Sequence, residues 1–261
     1  MGRYLRIYRH FVASSLVREL EFRANFVAKV AQALVWLGFS ALVLIVIYSN
    51  TDSVAGWNQG AAFILAATSF LMYHLVMAFC FSLIEIPEFV RKGTLDFVVT
   101  KPVDSQFWVS LRRFNFDQIG ACLGGIAMLA VGVVQSGTSP SILQWFTYLL
   151  MLLCATVLYY SIQFALMTLG IWLVRVDNLW VLGETIMSVA RYPNDIYSVG
   201  LQRFFTFILP VAFLATIPTK QLIQPVQLEF VLGGLAWATG AFMASRFFWV
   251  RSMKAYSSAS S

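Results

Sequence analysis

Apolar residues in this chain come in long, nearly unbroken runs, and the polar residues collect between them. Neither the alternation of a half-buried strand nor the single stripe of a soluble helix fits that pattern. Residues 26–48, 61–84, 116–134, 145–174 and 230–250 each approach or exceed the ~20 residues with which an α-helix crosses a bilayer. The run 145–174 is longer than one crossing needs, so it must tilt, kink or extend beyond the bilayer. Between 175 and 229 the pattern breaks up and supports two layouts. In the first, 179–190 is the fifth crossing and 204–217 is a short re-entrant hairpin on the far side. In the second, Arg175, Arg191 and Arg203 stay together on the near side and 204–217 crosses. Both give six crossings, and counting basic residues prefers the second.

Composition fixes the class. Hydrophobic residues make up 59% of the chain and charged residues 11%, where a soluble domain carries about a quarter. Ten-residue alternating segments are missing, which disfavours a membrane barrel. The expected fold is an all-α membrane protein with six transmembrane helices over 26–254, an amphipathic interfacial helix over 1–25, a helical insert over 85–113, a re-entrant region over 193–227 and a flexible tail over 255–261. The first 23 residues carry five arginines and no unbroken apolar core, unlike a cleavable secretion signal. There Leu5, Val12, Leu16, Val17 and Leu20 share one side of a helix, as suits contact with membrane lipids.

Charge sets the orientation. Arg91, Lys92, Lys101, Arg112 and Arg113 lie in the insert and Arg251 and Lys254 in the tail, whereas 49–60 and 135–144 hold no basic residue. Both termini and the insert are therefore expected in the cytoplasm. The net charge of +6 follows from this asymmetry and calls for no nucleic-acid partner, because the basic residues form no single stripe.

Candidate chemistry is sparse. His10 and His74 are the only histidines, and Cys80, Cys122 and Cys154 all sit in apolar runs, so neither a metal site nor a disulfide framework is expected. Neither a Gly-x-Ser-x-Gly elbow nor a Gly-x-x-x-x-Gly-Lys-Ser/Thr phosphate loop is present, and the chain is expected to hydrolyse no ATP through such a loop. Polar residues inside the runs remain: Lys29 near the end of the first, and Gln32, His74, Gln163 and Glu184, which either line a translocation path or join helices. Glu184 would pair with Arg175 or Arg191 if 179–190 crosses. Gly120 with Gly124, and Gly240 with Ala244, have the spacing that lets helices approach closely.

The insert carries the strongest signal. Pro87 suits the first turn of a short helix, Glu88 its positive end, and Gly93 a left-handed stop; Thr94 can then cap a second piece that Lys101-Pro102 ends. Phe89, Leu95, Phe97 and Val98 would form an apolar ridge fitting a groove in a partner, or would pack beneath the bundle. In Glu88, Arg91, Gly93, Thr94, Leu95, Asp96 and Pro102 the insert resembles the loop after the second span in permease subunits of type-2 ATP-binding-cassette exporters, a small bacterial branch in particular. The resemblance extends to Arg191-Tyr192-Pro193, Tyr197, Pro210 and Pro218, and it favours the first layout, with 175–178 as a compact cytoplasmic turn. It implies an exporter subunit paired with a second permease chain, as homodimer or heterodimer. Separate ATPase subunits, holding the ATP and Mg, would dock on Glu88, Arg91, Gly93, Thr94, Leu95, Asp96, Phe97 and Pro102; this chain itself would bind no cofactor. An intramembrane enzyme and a non-transporting scaffold are the alternatives.

Overall fold

A computed structural model describes residues 2–173 and 178–256. The described residues are helical and contain no strand beyond a single bridge between Val54 and Trp57. In chain order the helices are α1 (Gly2–Glu21), α2 (Arg23–Tyr48), α3 (Gln59–Cys80), α4 (Ile86–Arg91), α5 (Asp96–Val99), α6 (Ser105–Leu111), α7 (Asp117–Ser136), α8 (Ile142–Leu169), α9 (Leu179–Ala190), α10 (Val199–Phe207), α11 (Thr216–Ile223) and α12 (Leu228–Ala255). Five helical segments are long and apolar enough to cross a membrane: Arg23–Tyr48, Gln59–Arg91, Asp117–Ser136, Ile142–Leu169 and Leu228–Ala255. They correspond to the five long apolar runs.

Helix boundaries follow from local chemistry. Asn58 opens α3 by accepting from the Ala61 amide at 2.8 Å, and Ser141 with Gln144 forms a reciprocal capping box at the start of α8. Gly137 closes α7 in the left-handed conformation, φ +70.

The core is built around α3, whose side chains are mostly buried. Glycine brings α7 against it: a Cβ on Gly132 would stand 2.8 Å from the Ile64 amide nitrogen and 3.0 Å from the Gly60 carbonyl oxygen. On the other side of α7, Gly120 and Gly124 receive Val30, Leu34 and Leu37 of α2, so the first small-residue pair works inside the bundle. Gly240 and Ala244 face outward. From α8, the Tyr148 hydroxyl meets Thr68 of α3 at 3.0 Å, and Met151 lies against Gly234 of α12.

The two ends of the bundle differ. One, the basic end, gathers α1, residues 81–116 and the end of α12: Arg3 donates to the Pro102 carbonyl at 2.5 Å, the Phe114 amide to Ser15 at 3.1 Å, and Trp172 to Ser252 at 2.9 Å. At the opposite end Trp57 donates to Asp195 at 3.0 Å, Lys220 pairs with Asp195 at 2.7 Å, and the Gln144 amide donates to the Leu222 and Gln224 carbonyls at 3.2 and 2.9 Å.

These contacts place 191–227 with 49–58 and 135–144, away from the basic end. Arg191 and Arg203 consequently do not lie with the insert, and counting basic residues misjudges this stretch. Residues 204–217 comprise the end of α10, a 3-10 turn at Val211–Phe213 and the start of α11. The expected turn at 175–178 falls mostly outside the described residues.

α1 also differs in detail. Leu5, Leu16, Val17 and Leu20 do point outward, but Val12 turns partly in. The packed side carries buried Ser15 and Glu19, with Tyr4 and Phe11 against Phe107 at ring separations of 4.9 and 6.2 Å.

Candidate partner-docking site

Residues 81–116 form a platform across the basic end. A 3-10 turn, Phe81–Glu85, carries the chain out of α3 and into α4, where Pro87 occupies the first turn. Glu88 follows in that first turn and pairs with Lys92 at 2.6 Å. This ammonium holds the Glu88 carboxyl below its usual range. Arg91 lies exposed in the last turn. Gly93 then adopts φ +66, a conformation open to glycine without the clash a Cβ would cause, and the amides of Thr94 and Leu95 both turn back onto the Phe89 carbonyl at 2.9 and 3.3 Å.

Past the turn the expectations need two corrections. Thr94 caps no helix: its hydroxyl faces the Phe89 carbonyl it has just turned from, and α5 begins after Leu95 without a side-chain cap. The four apolar residues do not form one ridge either. Leu95 and Val98 are fully buried and Phe89 is partly covered, while Phe97 stands 70% exposed. A four-residue helix has room for one inward and one outward side, and burial beneath the bundle takes Leu95 and Val98. Asp96 is half-buried beside the Tyr256 hydroxyl at the end of α12. Burial, and next the Asp96 charge, push the Tyr256 hydroxyl up. Pro102 is held to α1 through Arg3.

Behind this exposed turn lies a network that joins residues far apart in the chain. Arg112 and Arg113 both pair with Glu85, at the foot of α4. The Arg112 guanidinium lies over two rings that are themselves in contact, 4.6 Å from Phe89 and 4.7 Å from Trp108, and Lys101 stands 4.9 Å from Trp108. Burial first, then the neighbouring charges of Arg113 and Arg18, bring Arg112 down to about 10, so it stays charged at neutral pH. Trp108 belongs to α6, and α6 is bolted to two long helices. Its capping residue Asp104 binds Arg246 of α12, with one contact at 3.0 Å; Trp249 donates to Ser105 at 3.0 Å. Gln106 and Ser110 meet the Tyr160 hydroxyl of α8 at 3.0 and 2.8 Å. Burial raises the Asp104 carboxyl, but hydrogen bonds from Arg246 and from the Phe107 amide outweigh it and hold the group below the usual carboxylate range. The local signal was present in Asp104-Ser-Gln-Phe107, a helix-capping pattern, and in Arg246 standing alone within an apolar run.

Of the polar residues of the long helices, Gln163 and Glu184 gather around Tyr73 and Tyr159, whose rings are 6.4 Å apart. Gln32 faces outward from α2. His74 contacts the Gln118 side-chain oxygen at 2.6 Å, Gln118 in turn donates to Asp117, and Lys29 lies 3.8 Å from Asp117. Gln163 is fully buried, donates to the Tyr159 hydroxyl at 2.8 Å and packs against Gly183 of α9. Glu184 accepts from Trp180 at 3.0 Å and also meets the Tyr73 hydroxyl. Its neighbours are therefore an indole and a phenol; Arg191 forms no ion pair with it among the described residues, and Arg175 lies outside them. His74 thus reaches from α3 to α7, and Glu184 from α9 to α3. Among the described residues no group of three or more histidine, cysteine or acidic side chains is placed to hold a metal ion.

The family model described as "ABC-2 family transporter protein" matches residues 34–260. The chain therefore belongs to that family, as a membrane subunit of an ATP-binding-cassette transporter, and it is a multi-pass membrane protein. No match is found among curated proteins.

Proposed function

We propose, taking membership of the ABC-2 transporter family as the premise, that this chain forms half of the transport path of an exporter and is driven by separate ATPase subunits that dock on the turn around Gly93. The observation that carries this reading is the exposed aromatic side chain of Phe97, 70% accessible just after a left-handed glycine turn, in a segment where Glu88, Arg91 and Lys92 are exposed as well. A lone exposed aromatic among charges is the form of an interface anchor that fills a groove. ATP and Mg reside on the partner ATPases, whose closure moves the turn through the differential contacts of the two states. A second permease chain, like or unlike this one, completes the path.

In this reading the basic end faces the cytoplasm of a bacterium and carries both termini, the protein lies in the inner membrane, and α9 supplies a short fifth crossing among six. At 12 residues α9 measures about 18 Å at 1.5 Å per residue, and α10 with α11 fill the remaining depth at the opposite end. Direction of transport follows the family resemblance.

The test is co-purification. Full-length chain extracted in mild detergent from its host is expected to bring down a nucleotide-hydrolysing subunit, and Phe97→Asp is expected to lose it while keeping normal yield and melting temperature. An ATPase retained by Phe97→Asp at the wild-type ratio would remove Phe97 as the anchor.

A further inference from the structure

We propose that Arg112 is a positioning residue that carries displacement of the Gly93 turn into α8 and α12, with α6 as the lever; this deepens the docking function proposed above and rests on it. The path is continuous in space. The Phe89 carbonyl closes the Gly93 turn by accepting from Thr94 and Leu95, and the Phe89 ring is one of the two rings against the Arg112 guanidinium. The other ring is Trp108 of α6. From α6 the connections run to α12 through Arg246 and Trp249 and to α8 through Tyr160. Arg112 touches the docking turn, through Phe89 and Glu85, and the lever, through Trp108, at the same time, and it seals the direct contact of the Phe89 and Trp108 rings, whose centroids are 6.0 Å apart.

A stabilising role alone accounts poorly for the arrangement. The Arg112 side chain is 17% exposed, its Nε is buried without a hydrogen-bond partner among the described residues, and Arg113 shares its carboxylate. Burying like charges together carries a desolvation penalty, and apolar replacements of buried ion pairs are often neutral or stabilising. What an apolar side chain cannot supply is a planar cation that meets two aromatic rings and a carboxylate at once. Such a cation fixes the distance and angle between α4 and α6, so that the two short helices move as one body. Lysine keeps the charge but has no plane to stack.

The experiment takes the full-length chain with its ATPase subunits in lipid nanodiscs and follows hydrogen exchange at 160–169 and 246–256, with and without ATP plus vanadate. Wild type is expected to show a nucleotide-dependent change in exchange at both segments. Arg112→Lys is expected to retain the ATPase and lose that change. Trp108→Phe, which keeps an aromatic face, retains the change, and Trp108→Leu loses it; this pair decides the matter should Arg112→Lys fail to fold. A normal response in Arg112→Lys, or in Trp108→Leu, overturns the positioning role alone, as does a wild-type complex that hydrolyses ATP with no change at 246–256. A wild-type chain that holds no ATPase overturns the docking reading, and the lever with it.

Discussion

Leu95 and Phe97 are two residues apart and face opposite ways, so substituting each in turn separates folding from docking. Leu95 is fully buried; Leu95→Ala removes three carbons from a packed site and is expected to cost about 2–5 kcal/mol of stability. Phe97 is 70% exposed, so Phe97→Ala should leave stability within about 0.5 kcal/mol. Its worth appears on docking. A phenylalanine buries on the order of 200 Å² when covered; the free 70% is then roughly 140 Å², or about 3.5 kcal/mol at ~25 cal/mol per Å². Ordering and imperfect fit consume part of that, and a loss of about 2 kcal/mol is the realistic size for a central aromatic anchor, roughly 30-fold in Kd. The assay titrates detergent-solubilised permease with its purified ATPase and records a melting curve for each variant. Phe97→Ala binding within twofold of wild type, or Phe97→Ala melting as low as Leu95→Ala, would refute the assignment of outward and inward faces.

Further substitutions test the frame. Gly132→Ala places a methyl against the backbone of Ile64 and Gly60, and should destabilise by about 1–3 kcal/mol through separation of α3 and α7, read as a lowered melting temperature. Asp104 is held below the usual carboxylate range; a depressed folded pKa means that its contribution is complete above the unfolded value of ~3.9 and is lost as pH falls through the lower folded value. Asp104→Asn keeps a capping oxygen and removes the charge opposite Arg246, so it should cost about 1 kcal/mol at pH 7, and the gap between the two melting curves should close as the pH drops below 4. Lys220→Met deprives Asp195 of its cation at the opposite end, leaving Trp57 as its indole donor; a loss of about 1–2 kcal/mol should raise the rate of protease cleavage within 191–227 by roughly tenfold.

What the sequence disclosed depended on the range of the interaction involved. Run length alone located the long helices, because in lipid every backbone polar group must be satisfied within its own segment. Pro87 and Gly93 marked the breaks of the insert for equally local reasons. The inward and outward sides of the short helices were not legible. Four residues show no period, so nothing distinguished Leu95 from Phe97 until the bundle above them was in place. Arg246 and Asp104 lie 142 positions apart, and no spacing rule joins residues so distant. Arg191 and Arg203 misled for a related reason: charge counting treats each basic residue as free to choose its side, while Asp195 pinned to Trp57 and Lys220 fixes the whole stretch at one end.

The same distinction explains how α2 is held. Leu37 is the only buried side chain of the helix. Lipid is as apolar as a neighbouring helix, so burial gives α2 little reason to prefer one rotation about its axis over another. Two features do discriminate. Val30, Leu34 and Leu37 enter the space left by Gly120 and Gly124, a fit that a small rotation destroys, and Lys29 reaches Asp117 at 3.8 Å. Asp117 is 3% exposed and is also bound by Gln118, which holds His74. Were Lys29 to swing away, Asp117 would remain buried with only neutral amide support, a state that costs several kcal/mol. One ion pair and two glycines therefore set the rotation of a helix whose greasy surface is indifferent to it. Movement of α2 against α7 works against both the glycine fit and the Lys29–Asp117 attraction.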